Sequence, residues 1–204
     1  MTIERCCTNC IQAREALEAG TDRIELCEQL EIGGTTPSEE NIRAVLAVGL
    51  PVNVLVRPRG GDFVWSEEEI GKMLQSINLC KSLGCNGVVI GALDKEGNVD
   101  TPTMQRLIES ARPMEITFHR AFDDCADPLE AFEEIINLGC ERLLTSGHAM
   151  SAPEGAGLIR ELVRRSEGRI IVMAGSGVRQ ENIKALLEGT NATEFHSSHI
   201  IHRQ

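Results

Sequence analysis

The chain has 204 residues, of which 42% are apolar and 25% are charged, and its formal net charge is −11. These fractions are typical of a globular protein with its own core, so they exclude disorder and fibrous repeats. The acidic balance argues against nucleic acid or an anionic membrane as a partner. No run approaches the ~18 apolar residues of a membrane span, and no signal-peptide pattern opens the chain. We therefore expect a cytoplasmic protein whose eight cysteines are free thiols.

Eight short apolar runs follow one another along the chain, and each has the length of a buried strand. They occupy residues 3–6, 24–26, 52–56, 87–90, 116–118, 143–144, 170–173 and 194–196.

Helix signals fill the stretches between these runs. Ser66 and Glu69 form a capping box ahead of an apolar face, and Gly84 is placed to end that helix. Asp127 and Pro128 are typical of another helix start. Further helices are predicted at 37–48, at 180–188, and near Pro102 and Pro153.

A repeated strand–helix alternation predicts parallel strands with right-handed crossovers. Eight strands fit a closed α/β TIM (β/α)8 barrel, for which 204 residues is close to the lower limit of roughly 200. We therefore predict one TIM-barrel domain over residues 1–204, with an open doubly wound sheet as the alternative.

Chemistry in such a barrel lies at the carboxyl ends of the strands. Strand alternation directs Glu25, Arg57, His119 and His196 toward the barrel axis, because their apolar neighbours face the helices. Buried charges must be paired, so we expect these four side chains to form one hydrogen-bonded network. The alternative is that the network only fills the top of a narrow barrel.

Two cysteines, Cys6 and Cys27, end neighbouring strands and can both point inward. Paired thiolates in a reducing compartment favour Cu(I) or Zn(II), whereas plain core packing is an equally good interpretation. Cys7 and Cys10 form a C-x-x-C at a helix start, which suggests a redox site as a competing hypothesis. The other four cysteines are expected in helices or on the helix-to-strand side, as structural residues.

Two segments are candidates to hold an anion. Arg57 and Arg59 lie beside flexible glycines, and the turn from Gly175 to Gly177 follows the seventh strand, where barrels often bind phosphate. The alternative for that turn is a tight connection without a ligand. The remaining candidates at strand ends are Asp94, Arg120, Ser146 and Ser197.

Seven motifs of this chain closely resemble the CutC family, which is named for copper homeostasis. They are 22–27 (DRIELC), 33–38 (GGTTPS), 57–63 (RPRGGDF), 97–100 (GNVD), 117–123 (TFHRAFD), 144–147 (LTSG) and 194–198 (EFHSS). The resemblance implies a TIM barrel, a cytoplasmic homodimer or larger homo-oligomer, and a link to copper. In some members two cysteines bind Cu(I), and they match Cys6 and Cys27. Family members usually continue into a further helix, so we expect the final helix to be missing or to lie outside this sequence.

Two functions are compatible with these observations. The first is copper homeostasis, with Cu(I) held by the paired cysteines. The alternative is an enzyme with lyase-like or isomerase-like acid–base chemistry on a small anionic or phosphorylated substrate. In that case the catalytic candidates are Glu25, His119 and His196, because an inward histidine with a carboxylate partner can be tuned near neutral pH.

Overall fold

The computed structural model describes residues 1–202, and its eight strands alternate with helices along the chain. The strands are β1 (Thr2–Cys7), β2 (Arg23–Leu26), β3 (Val52–Leu55), β4 (Gly87–Ile90), β5 (Glu115–Phe118), β6 (Arg142–Thr145), β7 (Ile171–Ala174) and β8 (Glu194–Ser197). Each strand pairs in parallel with the next, and β8 pairs with β1, so the sheet closes. The predicted TIM barrel is confirmed, and the open sheet is excluded.

Seven helices surround the barrel within the described residues. They are α1 (Cys10–Glu18), α2 (Glu39–Leu46), α3 (Glu67–Leu83), α4 (Thr101–Ala111), α5 (Pro128–Asn137), α6 (Ala156–Ser166) and α7 (Ile183–Thr190). Two short 3-10 helices, Leu30–Ile32 and Arg120–Asp124, follow β2 and β5. Between Ser197 and His202 the described chain forms no further helix.

The helix ends show how the sequence sets these boundaries. The predicted capping box is present at α3, where Ser66 and Glu69 exchange hydrogen bonds, and Gly84 ends the helix in the left-handed conformation at φ +78°. The last helix begins and ends later than the predicted 180–188. Its C-cap is Asn191, left-handed at φ +60°, so Gly189 lies inside the helix and is not its stop.

The apolar side chains divide into two layers around the sheet. The outward faces of the strands pack under the helices, and Phe118 and Phe195 are fully buried there. A small separate group faces the barrel axis and consists of Cys6, Cys27, Leu55 and Val89. The predicted alternation therefore holds, and it brings both cysteines to the interior. None of the helices in residues 1–202 combines the length and the apolarity needed to cross a bilayer.

Candidate functional site

A cavity of about 350 Å³ lies at the carboxyl ends of the strands, where a TIM barrel places its chemistry. Most of the side chains expected at the site line this cavity. They are Cys6, Glu25, Cys27, Arg57, His119, Arg120, Gly177, His196 and Ser197.

The two inward thiols lie at the base of this cavity. Cys6 is opposite Glu25 in the β1–β2 register, and Cys27 continues β2 by donating its N–H to the Cys7 carbonyl. The sulfur atoms of Cys6 and Cys27 are 3.5 Å apart. The hydrogen bond to Cys27, together with burial, raises the pKa of Cys6 well above its ordinary value. Without a metal, Cys6 is therefore a protonated thiol at neutral pH.

His196 is held between two carboxylates on the wall beside the thiols. Its Nδ1 is 2.9 Å from Glu4 Oε1, and its Nε2 is 3.5 Å from Glu25 Oε2. Burial alone would lower the pKa of His196, but the charges of Glu25 and Glu4 outweigh burial and raise it to about 9. The imidazole is therefore charged at neutral pH.

The two carboxylates beside His196 differ in their protonation. Burial would raise the pKa of Glu4, but the hydrogen bond to His196 and the charge of Arg23 lower it to about 2. Burial raises the pKa of Glu25, and the Glu4 carboxylate adds to that rise against the opposing charge of His196. Glu25 is thus the more easily protonated of the pair. Alternation along β1 places Glu4 on the same face as Cys6, so the period-two pattern was the signal that could have identified it.

A metal ion has donors of two kinds available here. Cys6, Glu25 and His196 each present a ligand atom within 4.8 Å of the others, and Cys27 adds the second sulfur. While His196 is protonated its nitrogens have no free lone pair, so the two sulfurs are the donors best suited to a soft ion.

Arg57 and His119 do not join the network of Glu25 and His196 that the sequence predicts. The Arg57 guanidinium donates to the carbonyls of Ile32, Gly34 and Gly61, at 2.8–3.1 Å. Its Cζ lies 4.8 Å from the centre of a phenylalanine ring in the β3–α3 loop. Arg57 therefore fixes the loops around the cavity mouth, because backbone carbonyls satisfy most of its donors.

His119 is neutral and packs against the same phenylalanine, Phe63, at a ring separation of 4.9 Å. Burial, and then the charge of Arg57, lower the pKa of His119 to about 3. Its Nδ1 accepts the Ala121 N–H, so the ring proton is on Nε2. That Nε2 has no partner within residues 1–202. His119 is therefore a buried donor with an unmet hydrogen bond, and it is a poor general base.

Two other predicted residues lie outside the cavity lining because they stabilise their own loops. Arg59 pairs with Asp62 and Glu69, and its guanidinium lies 4.8 Å from the Trp65 ring centre. Asp94 accepts from the backbone of the turn that follows it, at 2.8–2.9 Å. Both side chains have full sets of partners without a ligand.

The remaining two residues support the cavity from behind. Ser146 donates to the carbonyl of Ala149 and accepts from Arg120, at 2.7 and 3.1 Å. Gly175 faces Leu144, and a Cβ on Gly175 would lie 2.5 Å from the Leu144 Cδ1 atom. Glycine is therefore required at this position for close packing, without contact to the cavity.

The structure changes two of the expectations about the cysteines. Cys125 lies in the loop after β5, on the strand-to-helix side, where its sulfur is 3.3 Å from His148 Nε2. In the C-x-x-C, Cys7 is buried under the helices while Cys10 begins α1 and is half-buried. Burial raises the pKa of Cys7 to about 12, so this thiol is not activated by the helix.

Comparisons with known proteins identify the family to which this chain is similar. The model of the CutC family matches residues 1–201. A family protein CutC from Parabacteroides distasonis is 49% identical over 96% of this chain and 82% of its own length. The copper homeostasis protein cutC homolog of Homo sapiens is 46% identical over 96% and 72%.

Solved structures show the same barrel. CutC from Streptococcus agalactiae superposes with a TM-score of 0.93 at 30% identity, covering 98% of this chain and 99% of that chain. An aldolase structure superposes at 0.69 with 13% identity, over 97% and 89%, which shows a shared fold alone. On the family match and the identity of its relatives, the chain belongs to the CutC family.

Proposed function

We propose that this protein binds Cu(I) between the thiolates of Cys6 and Cys27. The observation that supports the proposal most directly is the 3.5 Å separation of the two sulfur atoms inside the barrel. Two metal–thiolate bonds of ~2.3 Å can span that separation. Soft thiolate ligands favour Cu(I) or Zn(II), and the name of the human relative, a copper homeostasis protein, favours copper of the two.

The neighbouring charges favour such a complex. One Cu(I) with two thiolates carries a net charge of minus one, which is costly to bury unless a cation is close. The imidazolium of His196 lies within the same group of side chains as Cys6. We assign His196 the role of counter-charge, and Glu4 the role of holding it in the protonated state through the 2.9 Å contact.

Binding must release the thiol proton of Cys6, because only the thiolate is a ligand. Since burial and the sulfur contact raise the pKa of Cys6, the measured Cu(I) affinity should increase as the pH rises. This proton release also gives a route for removing the ion when the site is acidified.

An anaerobic titration against a coloured Cu(I) chelator tests the proposal. The wild type is expected to take up one Cu(I), and Cys6→Ser or Cys27→Ser should weaken binding by on the order of 100-fold or more. Cys10→Ser is the matched control, since it removes a half-buried thiol of the C-x-x-C outside the cavity. Unchanged affinity in the Cys6→Ser, Cys27→Ser double variant would refute the proposal, and loss of affinity in Cys10→Ser would favour the C-x-x-C instead.

A second candidate function has its own supporting observation. The cavity, at about 350 Å³, is far larger than one ion requires. An acid–base enzyme on a small anion would use Glu25 and His196, whose pKa values are both raised toward the neutral range or above it. In that case His119 would donate a hydrogen bond from Nε2 and would not take a proton.

The proposal also includes the cellular compartment and the oligomeric state of the protein. Free thiols at the site require a reducing compartment, so we place the protein in the cytoplasm. We also expect a homodimer or larger homo-oligomer, as the family resemblance implies. Light scattering of the purified chain measures the oligomeric state, and a monomer at all concentrations would contradict that expectation.

A further inference from the structure

One wall of the cavity contains backbone N–H groups that have no hydrogen-bond acceptor within residues 1–202. Ser176, Gly177 and Val178 after β7, and Ser198 after β8, line the cavity together. In the part of the chain that the structure describes, the N–H groups of these four residues have no acceptor. Val178 is 1% exposed, and a buried N–H without an acceptor is rare in native proteins.

The amides on either side of this wall all have acceptors. Gly175 N–H donates to the Thr145 carbonyl, and Arg179 N–H donates to Asn182. His199 N–H donates to the Ser197 hydroxyl. Within residues 175–179 and 198–199, the unmet donors are therefore those of residues that line the cavity.

The carbonyl groups of Ser176, Gly177 and Val178 in the β7 loop all accept hydrogen bonds. The Ser176 carbonyl accepts from Ala152 N–H, and the Gly177 carbonyl accepts from the Asn182 side chain. The Val178 carbonyl accepts from the Ser197 hydroxyl at 2.7 Å. Because these three acceptors are used and the N–H donors remain, the β7 loop is suited to an anion.

Side chains elsewhere in the cavity add positive charge and a further donor. Arg120 and Arg57 line it, and Nε2 of His119, a residue 4% exposed, is unpartnered in residues 1–202. The opposing groups are the Glu25 carboxylate and the two thiols at the base. Arg120 is paired with Asp123, and the imidazolium of His196 adds positive charge at the base. The cavity lining therefore contains more cationic than anionic side chains, although the chain as a whole carries −11.

We propose that the loops after β7 and β8 bind the phosphate group of a small phosphorylated organic molecule. A phosphate carries a charge of about −1.5 to −2 and offers three acceptor oxygens to the four amides, whereas a carboxylate offers two. The carbon skeleton would extend toward Leu55 and the thiols, in a cavity of the volume that small metabolites occupy. This proposal stands on the cavity wall alone and does not require that copper binds.

Amide-detected NMR of the metal-free protein, titrated with inorganic phosphate, tests this site. The expected result is a saturable shift of the amide signals of Ser176, Gly177, Val178 and Ser198. Acetate at the same ionic strength is expected to give weaker shifts, and comparable shifts with acetate would overturn the assignment to phosphate. No saturable shift in the wild type up to about 50 mM phosphate would overturn the proposal outright.

A matched pair of variants locates the anion. Ser198 is exposed and its hydroxyl has no hydrogen-bond partner in residues 1–202, so its substitution should keep the fold. Ser198→Asp places a carboxylate beside the phosphate and should raise its dissociation constant by about tenfold or more. Ser82→Asp adds the same charge at an exposed serine of α3 outside the cavity, so it should bind as the wild type does. Equal binding by the two variants would place the phosphate elsewhere. Cys6→Ser should leave phosphate binding unchanged. The phosphate proposal and the copper proposal can therefore fail independently of each other.

Discussion

The two halves of the barrel interior use charge in opposite ways. In the lower half, at the amino ends of the strands, acidic and basic side chains are paired completely. These side chains are Glu4, Arg23, Glu115, Arg142 and Glu194. In the upper half, the thiols are close together, and a histidine and a stretch of backbone have donors without acceptors.

This difference separates a structural network from a site. A buried charge that has its partners is satisfied by the protein itself, so the charged side chains of the lower half need no ligand. The upper half keeps groups that only a ligand can satisfy. Glu4 connects the two, because one oxygen bonds Arg23 below and the other bonds His196 above.

The largest effect is expected from breaking the lower network. Arg23→Met leaves the carboxylates of Glu4 and Glu194 buried without their shared partner. We expect the free energy of unfolding to fall by about 3–5 kcal/mol, measured by urea denaturation. Arg106→Met is the control, since it breaks an exposed pair with Glu67 and should leave the free energy of unfolding nearly unchanged. Similar losses in the two variants would show that the lower network contributes no more than a surface ion pair.

A smaller effect is expected where the two halves join, at His196. Its folded pKa of about 9 lies above the ordinary 6.5, so its contribution to stability is fully present below pH 6.5 and is lost as the pH rises through 9. His196→Gln should abolish a decline on the order of 3 kcal/mol between these pH values. Urea denaturation at a series of pH values measures the slope.

Glu4→Gln is the companion variant for this prediction. It removes one of the two carboxylates that keep His196 protonated, so the folded pKa falls and the decline should end at a lower pH and be smaller. A wild type whose stability is flat from pH 6.5 to 9 would contradict the charged state that we assign to His196.

The fold could be predicted from the sequence because strand signals repeat locally. Each apolar run is short and ends in a polar residue, and caps such as Ser66 mark the helix starts. Alternation also placed Cys6, Cys27 and His196 inside. These inferences need only the alternation of apolar residues and the helix-capping residues. Both are set by residues that are close together in the sequence.

The division of the interior could not be predicted in the same way. Whether Arg57 pairs with Glu25 or with backbone carbonyls depends on the paths of the two loops that contain Gly34 and Gly61. A periodic pattern of nearby residues does not predict those paths. The unmet amide of Val178 is a backbone property that side-chain patterns do not carry. The sequence therefore indicated many of the residues that reach the cavity, but not which of them keep an unmet hydrogen bond there.

The smallest effect is the difference in stability between two variants that add one methyl group, one in the lower half and one in the upper half, at the two ends of β4. A Cβ on Gly87 would lie 2.5 Å from Asn53 Oδ1 and 2.7 Å from the Glu115 carbonyl, and backbone cannot move aside. A Cβ on Gly91 would lie 2.4 Å from His119 Cε1, a side-chain atom next to an open cavity. We expect Gly87→Ala to cost about 3 kcal/mol and Gly91→Ala about 1 kcal/mol, measured by urea denaturation. The upper half yields more easily because it is built around space for a ligand, and equal costs would contradict that distinction.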